Sequence, residues 1–238
     1  MTHPTPALRL FCLPYAGGAG RIYADWRQAL PATVEVCPVE LPGRGTRFTE
    51  PVHTALEPLI DDVAATVTAG LDHPGQPYAL YGHSFGAVVA FETARRLHAR
   101  GRPPARLAVA AFRSPGMPPA ASPLSELPDA EFRRFLGDLG GTPRVLLEDE
   151  AFMELMLPVI RADFHLAETY GNRPDARVGC PLVIFGSADD QRFTLPEVRG
   201  WTHHTTASAT FHQLPGDHFF LHSHRDLLLK HLATELTS

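Results

Sequence analysis

The sequence predicts an α/β fold: a mostly parallel central sheet flanked by helices, interrupted once by a helical insertion. Three observations carry that expectation. Short apolar runs alternate with segments of helical period, the order of a parallel sheet whose crossovers are helices. A glycine-flanked serine, Gly82-His83-Ser84-Phe85-Gly86, stands where one such run gives way to a helix. From Ser114 to about Asn172 the strand signal disappears and only helical periodicity remains.

Taken in order, Leu8 to Leu13 reads as a strand ended by Pro14 and the glycines at 17, 18 and 20. Thr33 to Val39 is a second strand, Ala55 to Leu71 a helix, and Pro77 to Tyr81 a buried strand. Phe85 to Arg100 is a helix whose charges gather in its second half, where they suit the C-terminal dipole, and it stops at Gly101 with Pro103 behind. Arg106 to Phe112 is the next strand. A proline-rich exit with Pro115, Pro118, Pro119 and Pro123 then leads into helical segments at 129–138 and 148–170. In the longer one Phe152, Met156, Ile160, Phe164 and Ala167 make one apolar face, and Pro158 is expected to kink the helix or begin a new one. The alternation resumes with a strand at Pro181 to Phe185, a helix near 195–203, a strand at 209–214 and a last helix from Asp226 to Leu236. No linker or internal repeat divides the chain, so residues 1–238 read as one domain with an insertion at about 114–172.

Composition narrows the function classes. The 238 residues carry a net charge of -5, with 44% hydrophobic and 20% charged residues, as in ordinary soluble globular chains. Lys230 is the only lysine among 21 basic residues and no basic run occurs, so the overall charge gives no electrostatic reason to expect a nucleic-acid partner. No apolar stretch approaches the roughly 18 residues of a membrane span, and the N-terminal MTHPTPALRLFCLP lacks the charged and apolar regions of a signal peptide. Cys12, Cys37 and Cys180 are far apart, lack CxxC spacing and read as buried thiols, which suits a reducing, cytoplasmic setting.

The chemistry centres on the G-x-S-x-G segment at 82–86, which chance would supply roughly 0.05 times in a chain of this composition. A sharp strand-to-helix turn strains the serine backbone, and side chains two residues to either side would collide with the neighbouring strand and helix. Ser84 then lies at a helix N-terminus, facing backbone N–H groups. A serine hydroxyl needs a histidine base and a group that orients it. Of 13 histidines, His218 follows the strand at 209–214 through Leu-Pro-Gly-Asp, at the sheet edge where the serine also sits. Gly186-Ser187-Ala188-Asp189-Asp190 follows another strand end and offers two acids. The resulting order Ser, Asp, His is that of α/β-hydrolases. His218 and His222 also have i, i+4 spacing, with His224 nearby, but no Glu or Cys set completes a zinc site and no metal is expected. The loop Pro14-Tyr15-Ala16-Gly17-Gly18-Ala19-Gly20 lacks the phosphate-binding patterns, and the amides of Ala16 and Phe85 are the expected oxyanion donors.

Six ordered blocks, LFCLPYAGGAG, LPGRGTRFTEP, YGHSFGA, LPVIRADFHLAETY, GWTHHTT and LPGDHFFL, together resemble the type II thioesterases that accompany polyketide and non-ribosomal peptide synthetases. The resemblance spans nearly the whole chain. It implies an α/β-hydrolase fold with a helical lid over an acyl pocket, and hydrolysis of acyl thioesters from the phosphopantetheine arm of carrier proteins. It makes Ser84 the nucleophile and His218 the base; counting back from Trp201 and His204 selects Asp190 over Asp189, with Gln191 where relatives carry Pro. Residues Ala110 to Pro115 also depart from the more basic, Gly-containing run of such relatives. No cofactor is implied, since the phosphopantetheine belongs to an acyl or peptidyl carrier protein, an acidic partner expected to dock near the lid on an arginine-bearing surface. Two rival readings share these features: a free-standing esterase or acyl-CoA thioesterase, and a non-catalytic carrier-binding module.

Overall fold

The computed structural model describes residues 8–237; Met1 to Ala7 and Ser238, counted above in the single-domain reading, lie outside them. The strands are β1 (Leu8–Leu13), β2 (Val34–Pro38), β3 (Tyr78–His83), β4 (Arg106–Ala110), β5 (Leu182–Ser187) and β6 (Ala209–Leu214). They form one sheet in the order β2-β1-β3-β4-β5-β6, with every neighbouring pair parallel. The helices are α1 (Trp26–Ala29), α2 (Leu56–Ala69), α3 (Phe85–Ala99), α4 (Asp129–Leu139), α5 (Arg144–Leu147), α6 (Glu150–Thr169), α7 (Leu195–Arg199), α8 (Phe220–Ser223) and α9 (Arg225–Thr237).

Alternation along the strands sends side chains to two cores. Phe11, Leu13, Leu80, Val109 and Ile184 pack under α2 and α3, whereas Leu10, Cys12, Tyr81, Val183 and Phe185 pack with Tyr23, Trp26 and the α9 leucines on the other face. Burial on both faces is why these strands read as continuous apolar runs. Cys12 and Cys180 are buried as expected, while Cys37 on β2 is only half-buried, and all three are free thiols.

Because β2 and β3 pair on opposite sides of β1, the sheet reverses direction there. In open parallel sheets such a switch point opens a crevice at the carboxyl ends of the strands. The loop after β1 and the turn after β3 therefore meet.

The block between β4 and β5 is helical, with a cluster of its own built on Phe132, Leu136, Met153, Met156, Ile160 and Phe164. Its division from the sheet is incomplete, since Leu166 and Ala167 at the end of α6 join the main core. α6 continues through Pro158, and no second helix begins there. Asp149 caps its start by accepting from the Phe152 N–H at 3.0 Å, and apolar side chains are buried on both sides of the proline. That packing outweighs the hydrogen bond that proline withholds from the preceding turn. The single turn α5 has too few residues to show a period and escapes sequence reasoning.

Candidate active site

Ser84 follows β3 directly and has φ 54° and ψ -121°, a backbone region that non-glycine residues rarely occupy. Its N–H donates to the Ala110 carbonyl at 2.8 Å, and its own carbonyl accepts from the Ala87 N–H at 2.8 Å. A Cβ on Gly82 would run into the Gly86 carbonyl, and one on Gly86 into the Leu13 carbonyl. Both glycines are thus demanded by close backbone approach, and the turn holds Ser84 clear of the sheet at the first turn of α3.

His218 comes from the loop after β6, where Gly216 has φ 97°. The Ser187 hydroxyl donates to the Gly216 carbonyl, and Asp217 Oδ1 accepts from the Phe219 N–H at 2.9 Å. His218 Nε2 lies 2.9 Å from Ser84 Oγ, and its Nδ1 lies 2.9 Å from Asp190 Oδ2. An ionised carboxylate only accepts, so the proton sits on Nδ1 and the Nε2 lone pair faces the serine hydroxyl. Asp190 Oδ1 also accepts from the Arg192 N–H at 2.7 Å. Asp190 and His218 are 8% and 3% exposed. Asp189, one residue earlier, is exposed, and its N–H donates to Ser187 Oγ. The structure therefore brings Ser84, His218 and Asp190 together and leaves Asp189 apart.

Ala16 and Phe85 line the same cavity as Ser84 and His218. As the first residue of α3, Phe85 has an N–H without an intrahelical acceptor. Leu136 and Leu139 of α4 and Phe164 and Ala167 of α6 form the apolar wall on the side of the insertion. His222 and His224 are engaged elsewhere: His222 Nε2 is 3.1 Å from the Tyr15 hydroxyl and His224 Nδ1 is 3.0 Å from Ser223 Oγ. Among the described residues no group of three His, Cys, Asp or Glu side chains is arranged to hold a metal ion.

Two supports were invisible in the sequence. His83, a variable position of the serine motif, is fully buried, and its Nε2 is 2.7 Å from the His218 carbonyl. A carbonyl only accepts, so Nε2 carries the proton. Burial, reinforced by the nearby His218 ring, pushes the His83 pKa well below the usual histidine range. His83 is therefore a neutral donor that ties the base-bearing loop to the serine turn. Its place next to Ser84 was the only available signal.

The second support joins the insertion to the loop after β1. Asp163 on α6 accepts from the Gly17 N–H at 2.8 Å and forms a bidentate pair with Arg44, and both charged side chains are about 3% exposed. Gly17 has φ 72°, and a Cβ there would lie 2.6 Å from Ile160 Cγ1, so the glycine serves both the turn and the approach of α6. Removing one member of a buried pair strands the other charge. Asp163→Asn should lower stability by about 3–5 kcal/mol, read as a fall in the denaturant midpoint. The double variant Arg44→Met/Asp163→Leu should recover much of that loss, and no recovery would mean that the pair is not the cause.

A parallel sheet reversing at β1, with a strained serine after β3 and a histidine delivered after the last strand, has the architecture of an α/β-hydrolase. Within that class the sequence narrows the assignment further. Residues 8–236 match the thioesterase domain model, and the chain belongs to that family of thioester hydrolases. It is 40% identical over 233 residues to linear gramicidin dehydrogenase LgrE of Brevibacillus parabrevis, covering 96% of this chain and 88% of that protein. Among solved structures it is similar to the RedJ thioesterase of the prodiginine biosynthetic pathway in Streptomyces coelicolor, with 38% identity and a TM-score of 0.88, covering 98% of this chain and 87% of that one. It is also similar to BorB, a type II thioesterase from the borrelidin biosynthetic cluster, at 36% identity and TM-score 0.87, with 98% and 94% covered. Among the described residues no helix is long and apolar enough to cross a membrane.

Proposed function

We propose that this protein is an editing, type II thioesterase that removes acyl groups from the phosphopantetheine arm of carrier proteins in a polyketide or non-ribosomal peptide synthase. In this reading Ser84 is the nucleophile, His218 the general base and Asp190 the group that orients it. The observation that carries the chemistry is the 2.9 Å contact between His218 Nε2 and Ser84 Oγ at the edge of an apolar cavity. The partner rests on the relatives, whose names tie RedJ and BorB to biosynthetic pathways. The dehydrogenase in the name LgrE is not carried over. The loop after β1 reads Gly18-Ala19-Gly20-Arg21-Ile22-Tyr23, with a fully buried tyrosine where a dinucleotide fingerprint needs its third glycine.

The reaction runs in two halves. His218 takes the Ser84 proton as Oγ attacks the thioester carbonyl, and the N–H groups of Ala16 and Phe85 hold the developing oxyanion. The carbon–sulfur bond then breaks, the imidazolium returns its proton to the departing thiolate, and the acyl group remains on Ser84. Water, deprotonated by His218, attacks the ester through the same geometry; the acyl–Oγ bond breaks, the imidazolium returns the proton to Ser84 Oγ, and the acid is released. Throughout, Asp190 stabilises the imidazolium without taking its proton. The reaction needs no metal or redox cofactor, and the free thiols at 12, 37 and 180 suit a cytoplasmic setting.

Comparing kcat/KM for one acyl group on a carrier protein, on coenzyme A and on nitrophenol tests the partner. We expect the carrier form to lead by at least about tenfold, equivalent to ~1.4 kcal/mol of additional binding in the transition state. Equal values for the carrier and coenzyme A forms would make the protein a general acyl thioesterase or esterase. A folded protein inactive on all three would make it a binding module.

A further inference from the structure

One charged side chain in the catalytic cavity has no place in the mechanism above. Arg192 is the only Arg, Lys, Asp or Glu among the described residues lining that cavity, which it shares with Ser84 and His218. It follows Asp190 by two residues, so its backbone serves the acid while its side chain turns to the acyl side. The guanidinium carbon lies 5.3 Å from the ring centre of Phe135 on α4, 5.4 Å from that of Phe164 on α6 and 5.6 Å from that of Phe193. Among the described residues no carboxylate lies within 4.0 Å of this guanidinium. The acidic groups whose charge reaches it across space are committed elsewhere: the Glu168 carboxylate accepts from the Leu124 and Ser125 N–H groups, and Asp190 is held by His218. Burial lowers the Arg192 pKa, but a guanidinium remains charged near neutral pH.

The aromatic faces attract the cation, yet among the described residues its five N–H donors meet none of the oxygen acceptors that a planar fork is shaped to bind. A saturated alkyl chain entering the cavity would displace water from those donors and replace it with nothing. An acyl group with its own oxygen would restore the lost hydrogen bonds. Sites built around such donors discriminate far more strongly than apolar walls do, because the mismatched substrate leaves a polar group unpaired.

We infer that Arg192 is a specificity residue selecting acyl groups that carry an oxygen acceptor beyond the thioester carbonyl, such as 3-oxoacyl, 3-hydroxyacyl or carboxyacyl groups, over plain alkyl chains of the same length. This rests on the thioesterase reading above. The chemistry is common to incompletely reduced chains and to extender-type units bearing a free carboxylate, and both can occupy a carrier arm.

The test compares butyryl, 3-oxobutyryl and malonyl groups on one carrier protein, with release followed by mass spectrometry of the carrier. The native enzyme should favour at least one oxygenated substrate over butyryl by about 10- to 100-fold in kcat/KM. A lead for malonyl identifies an anion as the preferred ligand, and a lead for 3-oxobutyryl a neutral acceptor. In Arg192→Met that ratio should collapse toward one, and Arg192→Lys, which keeps the charge without the fork, should fall between. No native preference, or an unaltered ratio in Arg192→Met, overturns the inference; the latter would make Arg192 a clamp on the aromatic rings of α4 and α6. Should Arg192→Met fail to fold, Ser84→Ala binding to butyryl- and 3-oxobutyryl-pantetheine by calorimetry decides, with equal Kd values overturning it. Failure of the thioesterase reading itself looks different, since no acyl carrier would be turned over at all.

Discussion

Ser84→Ala should reduce acyl-carrier hydrolysis by about 10⁵- to 10⁶-fold, and intact-protein mass spectra of the variant should show no acyl adduct under conditions that trap one on the native enzyme. The magnitude follows from how a nucleophile and its base act as a unit: removing either one removes nearly all covalent catalysis. The geometry adds a sharper expectation. Because His218 Nε2 faces Ser84 Oγ at 2.9 Å and has no other reacting partner, His218→Ala should cost about as much as Ser84→Ala. The double variant should be little worse than either single one. What survives should come from the N–H groups of Ala16 and Phe85 acting on an attacking water, a contribution of about 10³ over the uncatalysed reaction. Hydrolysis persisting near the native rate in folded Ser84→Ala protein would exclude Ser84 as the nucleophile.

The second large effect separates two adjacent carboxylates. Asp190→Asn should lower kcat by about 10⁴-fold, whereas Asp189→Asn should stay within about twofold of the native enzyme. Asparagine keeps the shape of the 190 side chain but can present an N–H to His218 Nδ1, which favours the tautomer that places the ring proton toward the serine. Base catalysis from that tautomer is blocked. Asp189 is exposed and does not reach the imidazole, so its replacement changes only a solvated charge. Steady-state kinetics on both variants, with circular dichroism to verify folding, gives the comparison. Equal small effects would reject Asp190 as the orienting acid.

Much of this arrangement is legible in the sequence. β1 and β6 lie where the apolar runs at 8–13 and 209–214 put them, and α3 runs from Phe85 nearly to the expected end at Arg100. These segments carry unambiguous punctuation from proline and glycine. Where punctuation and packing disagree, the reading shifts. β3 extends two residues beyond Tyr81 to His83, because Gly82 and His83 pair with Val109 and Ala110 of β4, whatever their weak strand preference. β4 ends at Ala110, two residues before the apolar run does, since Ala111 takes φ 52°. α6 runs on as one helix through Pro158, where a new helix was the alternative, because residues on both sides of the proline are buried.

Local sequence pattern specifies the alternation that builds the sheet, the glycine-flanked serine between β3 and α3, and a histidine and two acids near later strand ends. All of these are local patterns, set by backbone sterics and by the period of apolar residues. Which of Asp189 and Asp190 reaches the imidazole is settled by the folded loop, where two consecutive residues point in different directions, one exposed and the other buried. The tertiary fold alone tied Asp163 to both Arg44 and Gly17, and set His83 against a carbonyl 135 positions away. It also turned Arg192 from an unremarkable loop residue into a caged cation in the catalytic cavity. Such pairings depend on how helices and loops from distant parts of the chain converge at the carboxyl edge of the sheet, and no short-range pattern encodes that convergence.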